Sequence, residues 1–214
     1  NEKMPFRMLN LKQDGSLGSM NSNSNFNAYF LMEDFYGYSG IKPRAYQDII
    51  DVMGPANPTM WRMTGVKYIV TEKPTQFPGF TEVANTGNSV VYRYEDALPR
   101  LYFVDTVEVL PNIEVLNLIK QNSFDPAEKA FIHKGKMEID KPDTAAYVRI
   151  ANYKEDKITS EVNATGRNFL FFGTNIVLPG WKAYIDGEQT EIHRTNHAFM
   201  GIVVPAGKHT ITFE

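Results

Sequence analysis

The densest run of side chains capable of chemistry lies between Glu33 and Asp48, where aromatic, acidic and basic residues alternate with glycine. Asp34, Tyr36, Tyr38, Lys42, Arg44 and Tyr46 form the candidate set. Tyrosine rings offer flat apolar faces on which a sugar ring stacks, and the flanking charges could take its hydroxyls by bidentate hydrogen bonds. A glycan is therefore the ligand these six residues point to. Packing at the end of a sheet, with the tyrosine hydroxyls satisfied at the rim, accounts for the same residues more simply.

Other chemistries find less support. The four histidines are His133, His193, His197 and His209, and none forms a helical His pair with a carboxylate partner. His193 and His197 are four apart, but in an expected strand and turn, where that spacing does not share a helical face. No metal site is expected, and the histidines read as surface residues. The chain has no cysteine, which removes disulfides, thiolate catalysis and Cys-based zinc sites. Gly-x-Ser-x-Gly, the P-loop and a strand-borne GxGxxG are all missing, so no catalytic residue and no cofactor are assigned. Scattered carboxylates leave open a soluble glycoside hydrolase whose acids converge only in three dimensions. With 22 basic against 25 acidic residues the net charge is -3, which argues against a nucleic-acid partner.

The elements that must position these residues follow from periodicity. Phe6 to Leu11 alternates as a half-buried strand, and the Gly-, Ser- and Asn-rich stretch from Asp14 to Asn27 reads as a long surface loop. Pro43 opens a helix through Met53, with Tyr46, Ile49, Ile50 and Met53 on one face. A second short helix spans Pro58 to Met63 and is closed by Gly65. Val66 to Thr71 is a buried strand, and a hairpin joins Phe80–Ala84 to Ser89–Tyr94. Arg100 to Leu110 reads as one long strand, and Asn112 to Gln121 as a helix. Asp125-Pro126-Ala127-Glu128 has the form of a helix start, with Asp as N-cap.

Beyond Lys141-Pro142-Asp143 the helical period disappears. Seven short strands are expected: Ala145–Ala151, Lys157–Asn163, Asn168–Val177, Trp181–Ile185, Gln189–Arg194, Phe199–Val204 and Lys208–Phe213. Asp186-Gly187 suits the centre of a type I′ turn. The expected fold is an α+β domain with a mainly antiparallel sheet over residues 1–140, followed by an all-β, jelly-roll-like sandwich over residues 141–214.

The chain begins at Asn1 without an initiator Met and stops within a strand signal, so we expect a piece of a larger protein. No apolar run approaches the roughly 18 residues a membrane helix needs.

Several stretches resemble YfhO-type bacterial polytopic membrane proteins. They are Leu178-Pro-Gly-Trp-Lys-Ala-Tyr-Ile-Asp-Gly, His193-Arg-Thr-Asn-His-Ala-Phe and Val204-Pro-Ala-Gly-Lys-His-Thr-Ile-Thr-Phe. The N-terminal half adds Phe6-Arg-Met-Leu-Asn, the stretch Tyr36 to Asp51, Thr64-Gly-Val-Lys-Tyr-Ile-Val and Leu98-Pro-Arg-Leu-Tyr-Phe-Val. The resemblance implies an extracytoplasmic domain of a protein with a GT-C glycosyltransferase-like membrane core. Such proteins are associated with adding sugars from lipid-linked donors to cell-envelope polymers, on the outer face of the bacterial cytoplasmic membrane. The implied partners are a glycan or lipid-linked sugar and the flanking transmembrane helices of the same parent chain. The family's acidic catalytic residues would lie outside this piece, which implies an accessory, non-catalytic role; a free carbohydrate-binding module is the alternative.

Overall fold

The computed structural model describes residues 5–12, 32–35, 43–53, 57–174 and 180–214. The expected loop from Asp14 to Asn27 lies outside the described residues, as do Tyr36, Tyr38 and Lys42 of the candidate set. In chain order the N-terminal elements are β1 (Arg7–Leu11), β2 (Glu33–Asp34), α1 (Arg44–Met53), α2 (Pro58–Met63), β3 (Val66–Thr71), β4 (Phe80–Asn85) and β5 (Val90–Tyr94). Next come β6 (Leu101–Val104), β7 (Thr106–Val109), α3 (Asn112–Gln121) and β8 (Lys129–Ile132). The C-terminal part is entirely strands: β9 (Tyr147–Tyr153), β10 (Ile158–Ala164), β11 (Asn168–Phe172), β12 (Ala183–Ile185), β13 (Glu188–Thr190), β14 (His193–Thr195), β15 (Phe199–Val204) and β16 (Gly207–Phe213).

The helices start and stop for local reasons. Asn57 caps α2 by accepting the Met60 amide at 2.9 Å, Pro58 occupies the first turn, and Gly65 leaves it with φ +69. α3 ends at Asn122 in the left-handed conformation, whose side chain accepts the Thr59 amide at 3.1 Å, while Asn57 donates to the Ile119 carbonyl at 2.8 Å. These two asparagines dock α2 onto α3.

Three sheets are formed among the described residues, and most pairings are antiparallel. The first has the order β2-β1-β3-β5-β4, with β1 parallel to both β2 and β3. The second, β13-β12-β16-β10-β9, is antiparallel throughout. The third, β6-β11-β15-β14-β8-β7, is antiparallel except for its β7–β8 edge.

The third sheet is the centre of the molecule because β11 is apolar on both faces. Phe169 and Phe171 enter a core shared with the first sheet and the helices, including Trp61, Val115 and Ile119. Leu170 and Phe172 enter a second core with Ile158, Val162, Ile211 and Phe213 of the second sheet. These four apolar side chains of β11 are fully buried, each contributing about 1.5–3 kcal/mol. In β15, Gly201 lies where a Cβ would come within 2.3 Å of the Phe169 ring, so only glycine lets that ring fold across the strand.

The α+β architecture followed by a sandwich is thus present, with one addition that sequence reading missed. Three strands of the six-stranded sheet, β6, β7 and β8, precede residue 140, and two of them, β6 and β8, pair with β11 and β14, which follow it. The segment around residue 140 is pinned to the start of β11. The Asp140 amide donates to the Arg167 carbonyl, and the Arg167 amide to Asp140 Oδ2, both at 2.8 Å.

Three local expectations need correction. The long strand from Arg100 to Leu110 breaks at Asp105, where the Asp105 and Thr106 amides both donate to the Glu128 carbonyl. β6 then pairs with β11, and β7 with β8. Asp125 does cap a turn, accepting the Ala127 amide at 2.7 Å, but pairing with β7 draws the following residues into β8 instead of a helix. The expected strand from Gln189 to Arg194 divides because its first half pairs with β12 and its second with β15, in different sheets. The turn at Asp186-Gly187 has φ +52 and +87, as a type I′ centre requires.

Candidate functional site

The described members of the candidate set separate into two places. Asp34 ends β2, where Asn10 Nδ2 donates to its Oδ2 at 3.4 Å. Tyr46 donates its hydroxyl to the Phe35 carbonyl at 2.8 Å. Both therefore border the end of β1, and Tyr46 is close enough to Arg7 to favour its charge. Arg44 lies elsewhere, donating Nε to Asp48 Oδ1 at 2.6 Å one helical turn away.

Beside Asp34 and Tyr46 sits a buried cluster that sequence reading did not single out. Arg7 of β1 and Arg100, just before β6, share Glu33 of β2, at 3.7 Å and 3.5 Å respectively. Arg100 is 2% exposed. Its Nη1 donates to the Thr64 carbonyl at 2.9 Å, and its Nη2 to Thr174 Oγ1 at 2.8 Å and the Tyr153 hydroxyl at 3.2 Å. Arg7 Nη1 donates to the Thr64 and Gly173 carbonyls at 3.2 and 3.0 Å. Six segments meet there: the strands β1 and β2, the end of α2, the start of β6, the end of β9 and the end of β11.

The electrostatics are those of a clamp. Burial, then the neighbouring Arg100, pushes Arg7 down to about 10, opposed by Tyr46, Glu33 and Tyr153. Arg7 remains protonated at neutral pH, so two guanidinium groups face one carboxylate. The excess charge is spread over backbone carbonyls and two hydroxyls, which is how a buried cation is tolerated. Burial also raises the Tyr153 hydroxyl. Each named donor is spent on the protein itself, so the arrangement can hold segments together and offers no activated nucleophile or base.

A second cluster joins α1 to the β14–β15 hairpin. His197 is buried, not on the surface as expected, and its Nε2 lies 3.2 Å from Asp48 Oδ2. Its Nδ1 is buried with no hydrogen-bond partner among the described residues. Asn196 and His197 both hold positive φ, +45 and +72. Asn196 sustains the turn by exchanging backbone and side-chain bonds with Phe131, each at 2.8 Å. Arg194 Nε donates to the His197 carbonyl.

This pair has a pH signature. Burial lowers the His197 pKa from 6.5, only partly offset by the Asp48 bond; the Arg44 bond first, and His197 itself, lower Asp48. A histidine lowered in the fold costs nothing above its unfolded value, and stability is lost as pH falls below about 6.5 because the unfolded chain takes the proton first. The Asp48 contribution is present above the ordinary carboxylate range and is lost only in stronger acid. We expect the melting temperature to fall between about pH 7 and pH 5. In His197→Asn, which tolerates the left-handed turn, the fall should be shallower. It should not vanish, because burial also lowers His193. Equal slopes in the two proteins would contradict this reading.

Among the described residues no group of three or more His, Cys, Asp or Glu could hold a metal ion, and no helix is long and apolar enough to cross a membrane. Residues 143–214 match the family model described as Bacterial membrane protein YfhO. All three C-terminal stretches that carry the resemblance fall within that match, so the resemblance holds there as a YfhO-type domain. The N-terminal stretches, which contain Arg7, Thr64 and Arg100, lie outside it. No curated protein and no solved structure matches the chain.

Proposed function

We propose, for a chain whose residues 143–214 carry the pattern of a bacterial membrane protein family, that it is an extracytoplasmic accessory domain of a multi-pass parent. In this reading the parent transfers sugars from lipid-linked donors to cell-envelope polymers, and this domain takes no part in the chemical step. The family match is the observation that carries the reading.

The fold supports an accessory role physically. One sheet contributes to both cores, and the arginine clamp ties six segments together, so the domain suits a rigid body that steers substrate near a membrane. Its most heavily charged buried cluster is committed to holding the fold. The test is a transfer assay with a lipid-linked sugar donor, run on full-length parent in membranes and on the 214-residue chain alone. Turnover is expected from the parent only. Turnover by the isolated chain would overturn the accessory role.

A further inference from the structure

A cavity of about 540 Å³ lies between the segment that follows β8 and the segment that enters β14. Lys134, Lys136 and Arg194 line it, with His133 and His193, against a single lining carboxylate, Glu191. The local balance is three cations to one anion in a protein whose net charge is -3. Concave sites lined by one sign of charge concentrate ligands of the opposite sign.

The pairing pattern sharpens this. Glu138 answers Lys136 at 2.5 Å, and Glu191 stands 3.8 Å from His193 Nδ1. No carboxylate forms an ion pair with Lys134 or Arg194 among the described residues. Arg194 spends Nε on the His197 carbonyl and lies near enough to Asp48 for that carboxylate to favour its charge, while its terminal nitrogens keep no hydrogen-bond partner among the described residues. Gly135 at φ +91 allows the tight turn that sets Lys134 and Lys136 on the cavity wall, Lys136 with Glu138 as its partner. A guanidinium and two ammonium groups lining one cavity are a donor set that a phosphate takes. Met137 and Ile192 add apolar wall, and the volume leaves room for a ligand at least as large as a sugar phosphate.

We propose that this groove binds a phosphomonoester whose polar body is at least of sugar-ring size. The proposal rests on the groove alone and stands whether or not the parent is a transferase. Glucose 6-phosphate, glucose and inorganic phosphate are the probes, titrated against the 214-residue chain by calorimetry at low and high salt. Glucose 6-phosphate should bind at millimolar concentration or better, at least about tenfold tighter than either glucose or inorganic phosphate, and should weaken with added salt. Lys134→Glu, at an exposed position outside both cores, should weaken it about tenfold while leaving the melting temperature unchanged. Arg194→Gln should weaken it as well. No binding of glucose 6-phosphate, or equal affinity in Lys134→Glu, would overturn the proposal. Inorganic phosphate binding as tightly as the ester would overturn the assignment of the sugar-sized body.

Discussion

Replacing Arg100 by methionine is expected to cost about 3–5 kcal/mol of folding stability. The side chain is fully buried, and three of its hydrogen bonds reach Thr64, Thr174 and Tyr153, on three different segments. Methionine fills much of the volume but leaves Glu33 with Arg7 alone and takes a donor from a buried carbonyl. Arg100→Lys should recover little, because one ammonium cannot reproduce the fork that spans Thr64 and Thr174. Arg7→Met should cost less. Its charge is already disfavoured by burial and by Arg100, and Arg100 still serves the Thr64 carbonyl. Urea unfolding of the three variants measures the ranking. If Arg7→Met proves the most damaging, Arg100 is not the centre of the clamp.

The second large effect is expected at Gly173, next to the same clamp. A Cβ there would stand 2.1 Å from the Met63 carbonyl oxygen, a backbone atom that cannot rotate away. Neither side can yield easily. The Gly173 amide donates to the Arg100 carbonyl at 2.9 Å, and its own carbonyl accepts from Arg7. Gly173→Ala should therefore cost about 3 kcal/mol or more, through separation of α2 from β11. Gly87→Ala is the contrast. That glycine has φ +82 but nothing within 4 Å, so its cost is conformational only, about 1 kcal/mol. Equal melting temperatures for the two variants would contradict the close approach.

What was legible in the sequence was what neighbours along the chain decide. Pro58 and Gly65 bound α2, and Asp186-Gly187 sets its turn, because helix ends and positive φ act within a few residues. The divided strands were not legible, since Asp105 and the Thr190–His193 interval break only because the flanking residues find partners in different places. The shared central sheet escaped for the same reason. Nothing local to Leu101–Val104 announces that it will pair with Phe169–Phe172, although the unbroken apolar run of β11 carries the sign of a strand covered on both faces.

Of the arginine clamp, only the neighbourhood was legible. Charge and aromatic density marked the neighbourhood of Asp34 and Tyr46, which does border the clamp. Arg7 and Arg100 each stand in strand-like stretches as ordinary polar residues, and only the fold brings them to one carboxylate. His197 looked like a surface residue because hairpin turns are usually exposed. The packing of α1 onto the turn buries it.

The proposed extracytoplasmic setting is tested most directly by sidedness. The chain has no cysteine, so a single one introduced at an exposed turn reports its own location. Asn88→Cys marks the β4–β5 hairpin and Glu155→Cys the β9–β10 turn, both exposed. In the full-length parent in intact cells, both should react with a membrane-impermeant maleimide above the level of the parent without the added cysteine. Labelling that appears only after the cells are broken open would place the domain on the cytoplasmic side and contradict the account.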